Sequence, residues 1–349
     1  EYIFAAYILT NKKIKVLYNM SITTKDLAKV CGVSRTTVTR ALSGTGRISE
    51  ETKNRILNMA KELDYQPDLL ARSLVKGGSM TIGVVLCDLK NMFFPSVIDA
   101  MERVARDNGY LLNITLHDNS KILEENIITQ LAGHKIDGLL LDPASREKAH
   151  YDYLKKLPFP VVIIGGDRLE DLSLFGNNEF EAADSAARFI AAKGYHSLHF
   201  VFPGFEGKEA DFYGGHRERL NGAQAAAAGC NMIFSVLGDH DYMEQAARIT
   251  AAAKNAGEKP AFLCSGDIYA GYIILNLQKK GFTAGVDYGI MGFDRLDLMQ
   301  MLPISLASVE NNVEQIGNEA IGLLLDMIEN DRKKQTIYVP YQIIDGTSL

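Results

Sequence analysis

Two periodicities divide this chain. Between residues 22 and 66 apolar positions recur three and four apart, which sets one face of each helix against a core; after residue 79 they gather into short continuous runs. In the first region Leu27, Ala28 and Val30 predict a helix with Thr24 as its N-cap and Gly32 as its stop. Ser34 then caps a second helix whose apolar stripe is Val38, Ala41 and Leu42. Ser49 caps a third, in which Ile56, Met59, Ala60 and Leu63 close a three-helix core, and Pro67 ends it. The segment PDLLARSL, residues 67–74, is too short to hold a helix unless something packs against it.

The runs at 81–86, 111–116, 137–142, 160–164, 198–202, 232–236, 260–264 and 286–291 alternate with helical stretches. Buried parallel strands joined by right-handed helical crossovers produce this pattern. The 271 residues from 79 to 349 exceed one ordinary core, so they predict two doubly wound α/β lobes.

On the second helix Arg35, Thr36, Thr39 and Arg40 are left facing outward. A helix held by its neighbour with polar N-terminal residues outward suits the major groove, which admits one helix and displays a distinct pattern of donors and acceptors. Arg35 and Thr36 are the expected base readers. Arg40 suits a guanine or a phosphate equally, and Thr24, Ser34, Thr37 and Thr39 suit phosphates. The plainer reading is a helical hairpin with solvated charges. Charge favours the first reading: residues 20–78 carry ten Lys and Arg against six Asp and Glu, whereas residues 79–349 carry 24 against 36.

In open parallel sheets ligands sit beyond the carboxyl ends of the strands, and two lobes bring those ends together across a cleft. That rule selects Asp88, Asn91, Phe93 and Phe94 after the first run, Arg219 beyond the fifth, Ser265 to Asp267 after the seventh and Asp294 after the eighth. Asp267 and Asp294 also suit helix N-caps, and the two phenylalanines also suit core positions. Cys31, Cys87, Cys230 and Cys264 lie far apart with no CxxC pair, as small core residues of a reduced, cytoplasmic protein do, and no metal or other cofactor is expected. No nucleophile elbow, P-loop, HExxH or G-x-G-x-x-G fingerprint is present, so an enzyme is not expected. No apolar run is long enough to span a membrane.

The segments TTKDLAKVCGVSRTTVTRALSG, ISEETKNRILNMAKELDYQP, LLARSL and TIGVVL together resemble the lactose/galactose repressor (LacI/GalR) family of transcriptional regulators along most of the chain. The resemblance implies a helix-turn-helix head over residues 20–66 and a hinge helix and linker over 67–78. The hinge helix would order on DNA, with Ala71 as a close helix contact and Leu74 as a wedge in the minor groove. Met20 stands where the family begins, which leaves residues 1–19 as an extension of doubtful origin. The core, 79–349, would resemble a periplasmic binding protein, with an N-lobe of about 79–177 and 311–339 and a C-lobe of about 178–310 and 340–349.

The family's R-x-x-G motif is Arg219 to Gly222 here, its G-[YF]-D motif is Gly292 to Asp294, and CSGDIYAG places Asp267 as a ligand or interlobe residue. His240 and Asn311 occupy further cleft positions by the same resemblance. The implied protein is a homodimeric repressor on palindromic operator DNA, released by a small sugar between the lobes. A corepressor, a sugar phosphate held by Lys208, His216 or Arg217, and a nucleobase stay open, although Tyr213 stands where a second cation would favour a purine. No leucine heptad follows VPYQIIDGTSL to join dimers into tetramers.

Overall fold

The computed structural model describes residues 22–44, 46–66, 78–90, 92–165, 172–202, 214–238, 240–330 and 335–349. The chain divides into two compact units between Ser79 and Met80. The extension 1–19, most of the hinge segment, with Ala71 and Leu74 in it, and the loop positions Asn91, Lys208 and Tyr213 lie outside the described residues.

The first unit holds α1 (Thr24–Cys31), α2 (Arg35–Ser43) and α3 (Glu50–Glu62). Leu27, Ala28, Cys31, Val38, Ala41, Ile56, Ala60 and Leu63 form its buried core. The cap of α1 corrects the sequence reading. Thr23, not Thr24, is the N-cap: its hydroxyl accepts from the Asp26 N–H, and the Asp26 carboxylate accepts from the Thr23 N–H at 2.9 Å. This reciprocal pair satisfies two orphan donors at once, so it outcompetes a start one residue later. Ser34 and Ser49 cap α2 and α3 as expected, each accepting from the N–H three residues on.

The second unit contains two six-stranded sheets. The N-lobe strands are β1 (Thr81–Leu86), β2 (Leu111–Leu116), β3 (Gly138–Leu141), β4 (Val161–Ile164) and β5 (Ser173–Gly176). The C-lobe strands are β6 (Ser197–Val201), β7 (Ile233–Leu237), β8 (Ala261–Cys264), β9 (Gly289–Phe293) and β10 (Ala307–Glu310), and the chain ends with β11 (Thr336–Tyr338) and β12 (Gln342–Ile344). The orders are β11-β5-β4-β3-β1-β2 and β12-β10-β9-β8-β6-β7. All pairings between named strands are parallel except β10 with β12.

Both sheets are covered on both faces, as parallel sheets require. In the N-lobe α4 (Phe93–Asp107) and α11 (Val313–Asn330) bury Ile82, Val84 and Leu86, while α5 (Lys121–Gly133) and α6 (Lys148–Leu154) cover Val85 and Leu139. In the C-lobe α7 (Glu179–Ala192) and α8 (Gly214–Gly229) cover Leu198 and Phe200 on one face. The opposite face, with Val201 and Phe262, is covered by α9 (Tyr242–Ala256) and α10 (Asp267–Lys279). The chain passes between sheets three times: after β5, after β10, and between β11 and β12.

Four strands, β5, β10, β11 and β12, are absent from the sequence reading, and β9 starts at Gly289 rather than at residue 286. Val286 belongs instead to an exposed turn in which the Asp287 carboxylate accepts from the Thr283 N–H.

Candidate effector cleft and recognition helix

On α2 the side chains of Arg35, Thr36, Thr39 and Arg40 are exposed, opposite buried Val38 and Ala41. The Ser34 and Thr37 hydroxyls are 2.8 Å apart, and the Thr39 hydroxyl donates to the Arg35 carbonyl at 3.0 Å. These local bonds hold the first turn of α2 in one conformation. Arg40 lies along the α2–α3 turn, where Gly46 at φ +83° leaves room for its stem. Thr24 is half-buried as the first residue of α1.

In the second unit the carboxyl ends of β8, β9 and β10 bring Ser265, Asp294 and Asn311 around a single guanidinium. Arg219, buried on α8, donates through Nε and Nη2 to the Glu179 carboxylate at 2.6 and 3.2 Å. It also donates to the Ser265 carbonyl at 2.5 Å and to Asp294 Oδ1 at 3.4 Å. Its guanidinium carbon lies 4.3 Å from the centre of the Phe293 ring, a cation–π contact. Burial opposes its charge, but Glu179 and Asp294 outweigh that, and Arg219 holds its proton more tightly than an ordinary arginine.

The Gly292–Phe293–Asp294 motif has a separate part for each residue. A β-carbon at Gly292 would run into the Asp267 carboxylate, Phe293 is the platform under Arg219, and Asp294 accepts from Arg219 and from the Asn311 amide at 2.7 Å. Asp294 has φ +93°, a conformation that a side-chain-bearing residue adopts at a cost and that clusters at functional sites. Burial raises the Asp294 carboxyl to about 6, against the pull of Arg219.

Asp267 is the first residue of α10 but not its N-cap, which is Gly266. Its two oxygens accept from the Ser308 hydroxyl at 2.8 Å and from the Leu296 N–H at 2.7 Å, so it braces the C-lobe strand ends. Burial, reinforced by Asp294, raises it to about 8. A carboxyl raised on folding stabilises the fold fully below its unfolded value of about 4, and that contribution is lost as pH climbs through the folded value. Wild-type stability is therefore expected to fall between about pH 4 and pH 8, by at most about 1.4 kcal/mol per pH unit for this proton. Asp267→Asn, which keeps an acceptor for Leu296 and offers a donor to Ser308, should flatten that slope in urea titrations across the range. An unchanged slope would assign the proton elsewhere.

Across the cleft, burial and then Asp88 and Asp294 push the Tyr269 hydroxyl up to about 12, so that Asp88 of the N-lobe and Asp294 of the C-lobe act on one side chain. Burial, followed by Arg219 and Arg146, pushes His216 well below its ordinary value, and its ring stacks on Phe202 at 4.2 Å. Asp88 accepts from the Lys90 N–H at 2.7 Å. Phe93 and Phe94 meet edge to face at 5.2 Å in the first turn of α4 and pack partly on the N-lobe core. His240 is exposed beyond β7, the edge strand at the opposite end of the sheet from β12.

Sequence reading missed Glu179 and Asn177. The polar run Asn177–Asn178–Glu179 follows β5 directly, and the same strand-end rule selects it once β5 is recognised. Among the described residues no group of His, Cys, Asp and Glu is arranged to hold a metal ion. All four cysteines are free.

Residues 23–68 match the family model for bacterial regulatory proteins of the lacI family, and residues 187–349 match the periplasmic binding protein-like domain. The HTH-type transcriptional repressor PurR of Mannheimia succiniciproducens is 26% identical over 332 residues, covering 94% of this chain and 98% of that protein. The HTH-type transcriptional regulator MalR of Streptococcus pneumoniae is 35% identical over 187 residues, 52% of this chain and 57% of that protein. Among solved structures, the Lac repressor bound to ONPG in the repressed state superposes with a TM-score of 0.81 at 17% identity, covering 94% of this chain and all of that one. The CelR–cellobiose complex gives a TM-score of 0.64 at 20% identity, with 94% and 99% covered. These relatives are transcriptional regulators rather than enzymes, and the chain, with the helix-turn-helix head of the lacI-family regulatory proteins over residues 23–68 and a periplasmic binding protein-like domain over 187–349, is a DNA-binding transcriptional repressor similar to them.

Proposed function

We propose that this repressor acts as a homodimer on a near-palindromic operator in the cytoplasm and is released by a small neutral sugar bound between the lobes. One observation carries the choice of ligand. Around the cleft four carboxyl groups, Asp88, Asp142, Glu179 and Asp294, stand against three cations, Lys90, Arg146 and Arg219, and Arg219 is already neutralised by Glu179 and Asp294. Surplus carboxylate accepts hydroxyl donors and repels phosphate, and the apolar faces of Phe93 and Phe94 suit a sugar ring. The CelR neighbour is described with cellobiose bound.

A thermal-shift panel on the full chain tests this, since a ligand that binds only the folded state raises the midpoint by mass action. Neutral mono- and disaccharides are expected to raise it, with sugar phosphates and purines silent. A shift with phosphorylated sugars or purines alone would overturn the reading. Linkage adds the sign: an inducing sugar must bind more weakly when operator is present.

Dimerisation is supported by the apolar side chains left exposed on the edge strands, Leu111 and Ile114 of β2 and Ile233 and Val236 of β7. Twofold symmetry would then present two copies of α2 to successive half-sites. Arg35→Ala is expected to relax base preference at one position per half-site, with a loss of about 1–3 kcal/mol against the preferred base. Selection from a random duplex library reads this directly, and an unchanged preference would remove Arg35 from the base readers.

A further inference from the structure

The three passages between lobes meet at one side chain. Asn177, buried at the exit of β5, donates through Nδ2 to the Asn311 carbonyl at 3.3 Å and to the Val339 carbonyl at 2.9 Å. Those carbonyls belong to the second and third passages, so both amide hydrogens of the first are spent on the other two. The Val339 N–H also donates to the Gly176 carbonyl at 2.7 Å, which leaves the Asn177 amide as the bond that draws the Asn311 passage to them. Capping is not its purpose, because Asn178 caps α7 through the Glu181 N–H.

Asn311 faces two ways. Its backbone is held by Asn177, and its side-chain amide donates to Asp294, which in turn accepts from Arg219. Its Oδ1 is buried with no hydrogen-bond partner among the described residues, as is the Ser265 hydroxyl on the other side of the Arg219 cluster. A buried acceptor of this kind is costly to leave unmade, and a ligand hydroxyl donating to it would act on the residue whose carbonyl Asn177 holds.

We propose that Asn177 is a positioning residue, a pin that gathers the three interlobe passages at one pivot and carries the state of the Asn311–Asp294 pair to the N-lobe. This rests on the reading that lobe closure around an effector governs operator binding. An amide is the group the position requires. A carboxylate there would face two carbonyl oxygens, and a hydroxyl would supply one donor where two are used.

The test uses the full chain without effector. Hydrogen exchange is compared among wild type, Asn177→Asp, the milder Asn177→Ser, and Ile128→Val as a control that trims the N-lobe core away from the passages. Exchange at residues 309–313 and 337–340 is expected to quicken at least tenfold in Asn177→Asp and by less in Asn177→Ser, with β1 and β6 at wild-type rates. Affinity for a duplex recovered by selection with wild type should shift at least threefold in both Asn177 variants and not in Ile128→Val, although no variant touches the DNA-reading head.

Uniformly faster exchange, or none beyond the control, would overturn the pin. Local quickening with unchanged operator affinity would overturn its regulatory role. Either failure is separable from failure of the effector reading, which is judged on wild type alone by the thermal-shift panel.

Discussion

Arg219→Ala is expected to destabilise the Met80–Leu349 unit by about 3–5 kcal/mol, the range for removing one partner from a buried ionic network. The loss comes less from the contacts removed than from what stays behind. Glu179, Asp294 and the Ser265 carbonyl would remain in a site that water scarcely reaches, with no cation to answer them. Replacing all three charges together, Arg219→Met with Glu179→Gln and Asp294→Asn, should recover most of that loss, since nothing charged is left unpaired. Arg219→Lys should fall between, because an ammonium cannot reproduce the two-pronged grip on Glu179. Urea unfolding followed by far-ultraviolet circular dichroism reads all three. A loss under about 1 kcal/mol for Arg219→Ala would mean that the network is solvated and contributes as a surface pair does.

Gly222→Ala is expected to cost about 3 kcal/mol, the upper end for overpacking, although alanine is the better helix former. A β-carbon there would run into the Phe180 carbonyl and sit 3.0 Å from the Asp184 nitrogen. Helices α7 and α8 approach this closely because the facing surfaces are almost bare: Ala182, Ala183, Ala186 and Ala187 on one, Ala223, Ala226 and Ala227 on the other, all buried. The R-x-x-G spacing thereby acquires a physical reason. The glycine seats α8 against α7, and one turn earlier the arginine reaches Glu179 at the start of α7. Gly322→Ala in α11 is the counterpart, with nothing within 4 Å of the new carbon. It should raise stability by about 0.5–1 kcal/mol. If both substitutions moved stability the same way, helix propensity rather than packing would be in control at Gly222.

The head was legible because its determinants are local: caps and apolar stripes separated by three or four residues. Two boundaries went astray: the start of α1, where two adjacent threonines compete and Asp26 decides between them, and the end of α3, which stops at Glu62, ahead of Pro67, as Asp64 turns to φ +52°. The long apolar strands were equally plain. What escaped were strands of three or four residues with polar members, Ser173–Gly176, Ala307–Glu310, Thr336–Tyr338 and Gln342–Ile344. These are defined by their partners more than by their own composition; Thr336–Tyr338 is a strand because β5 lies beside it.

The site followed the same rule. Arg219, Asp267, Asp294 and Asn311 could be selected one at a time from strand ends and motifs, but nothing local announces that Arg219 is satisfied by Glu179 forty residues earlier. The strand-end rule selects Arg219 as a ligand contact, and four of its five guanidinium hydrogens donate within the C-lobe. Asp267 is likewise committed to Ser308 and Leu296.

The threefold passage between sheets also bears on how the protein is made. Neither lobe is a continuous stretch of chain: the N-lobe sheet waits for β11 and its covering helix α11, and the C-lobe sheet waits for β12. During synthesis the helical head can fold as soon as it leaves the ribosome, while most of the core emerges before the strands that complete its two sheets. Until then the unpaired edge of β5 is open to the wrong neighbour, and pairings that span more than 160 residues, as Thr336 with Leu174 does, are slow to form.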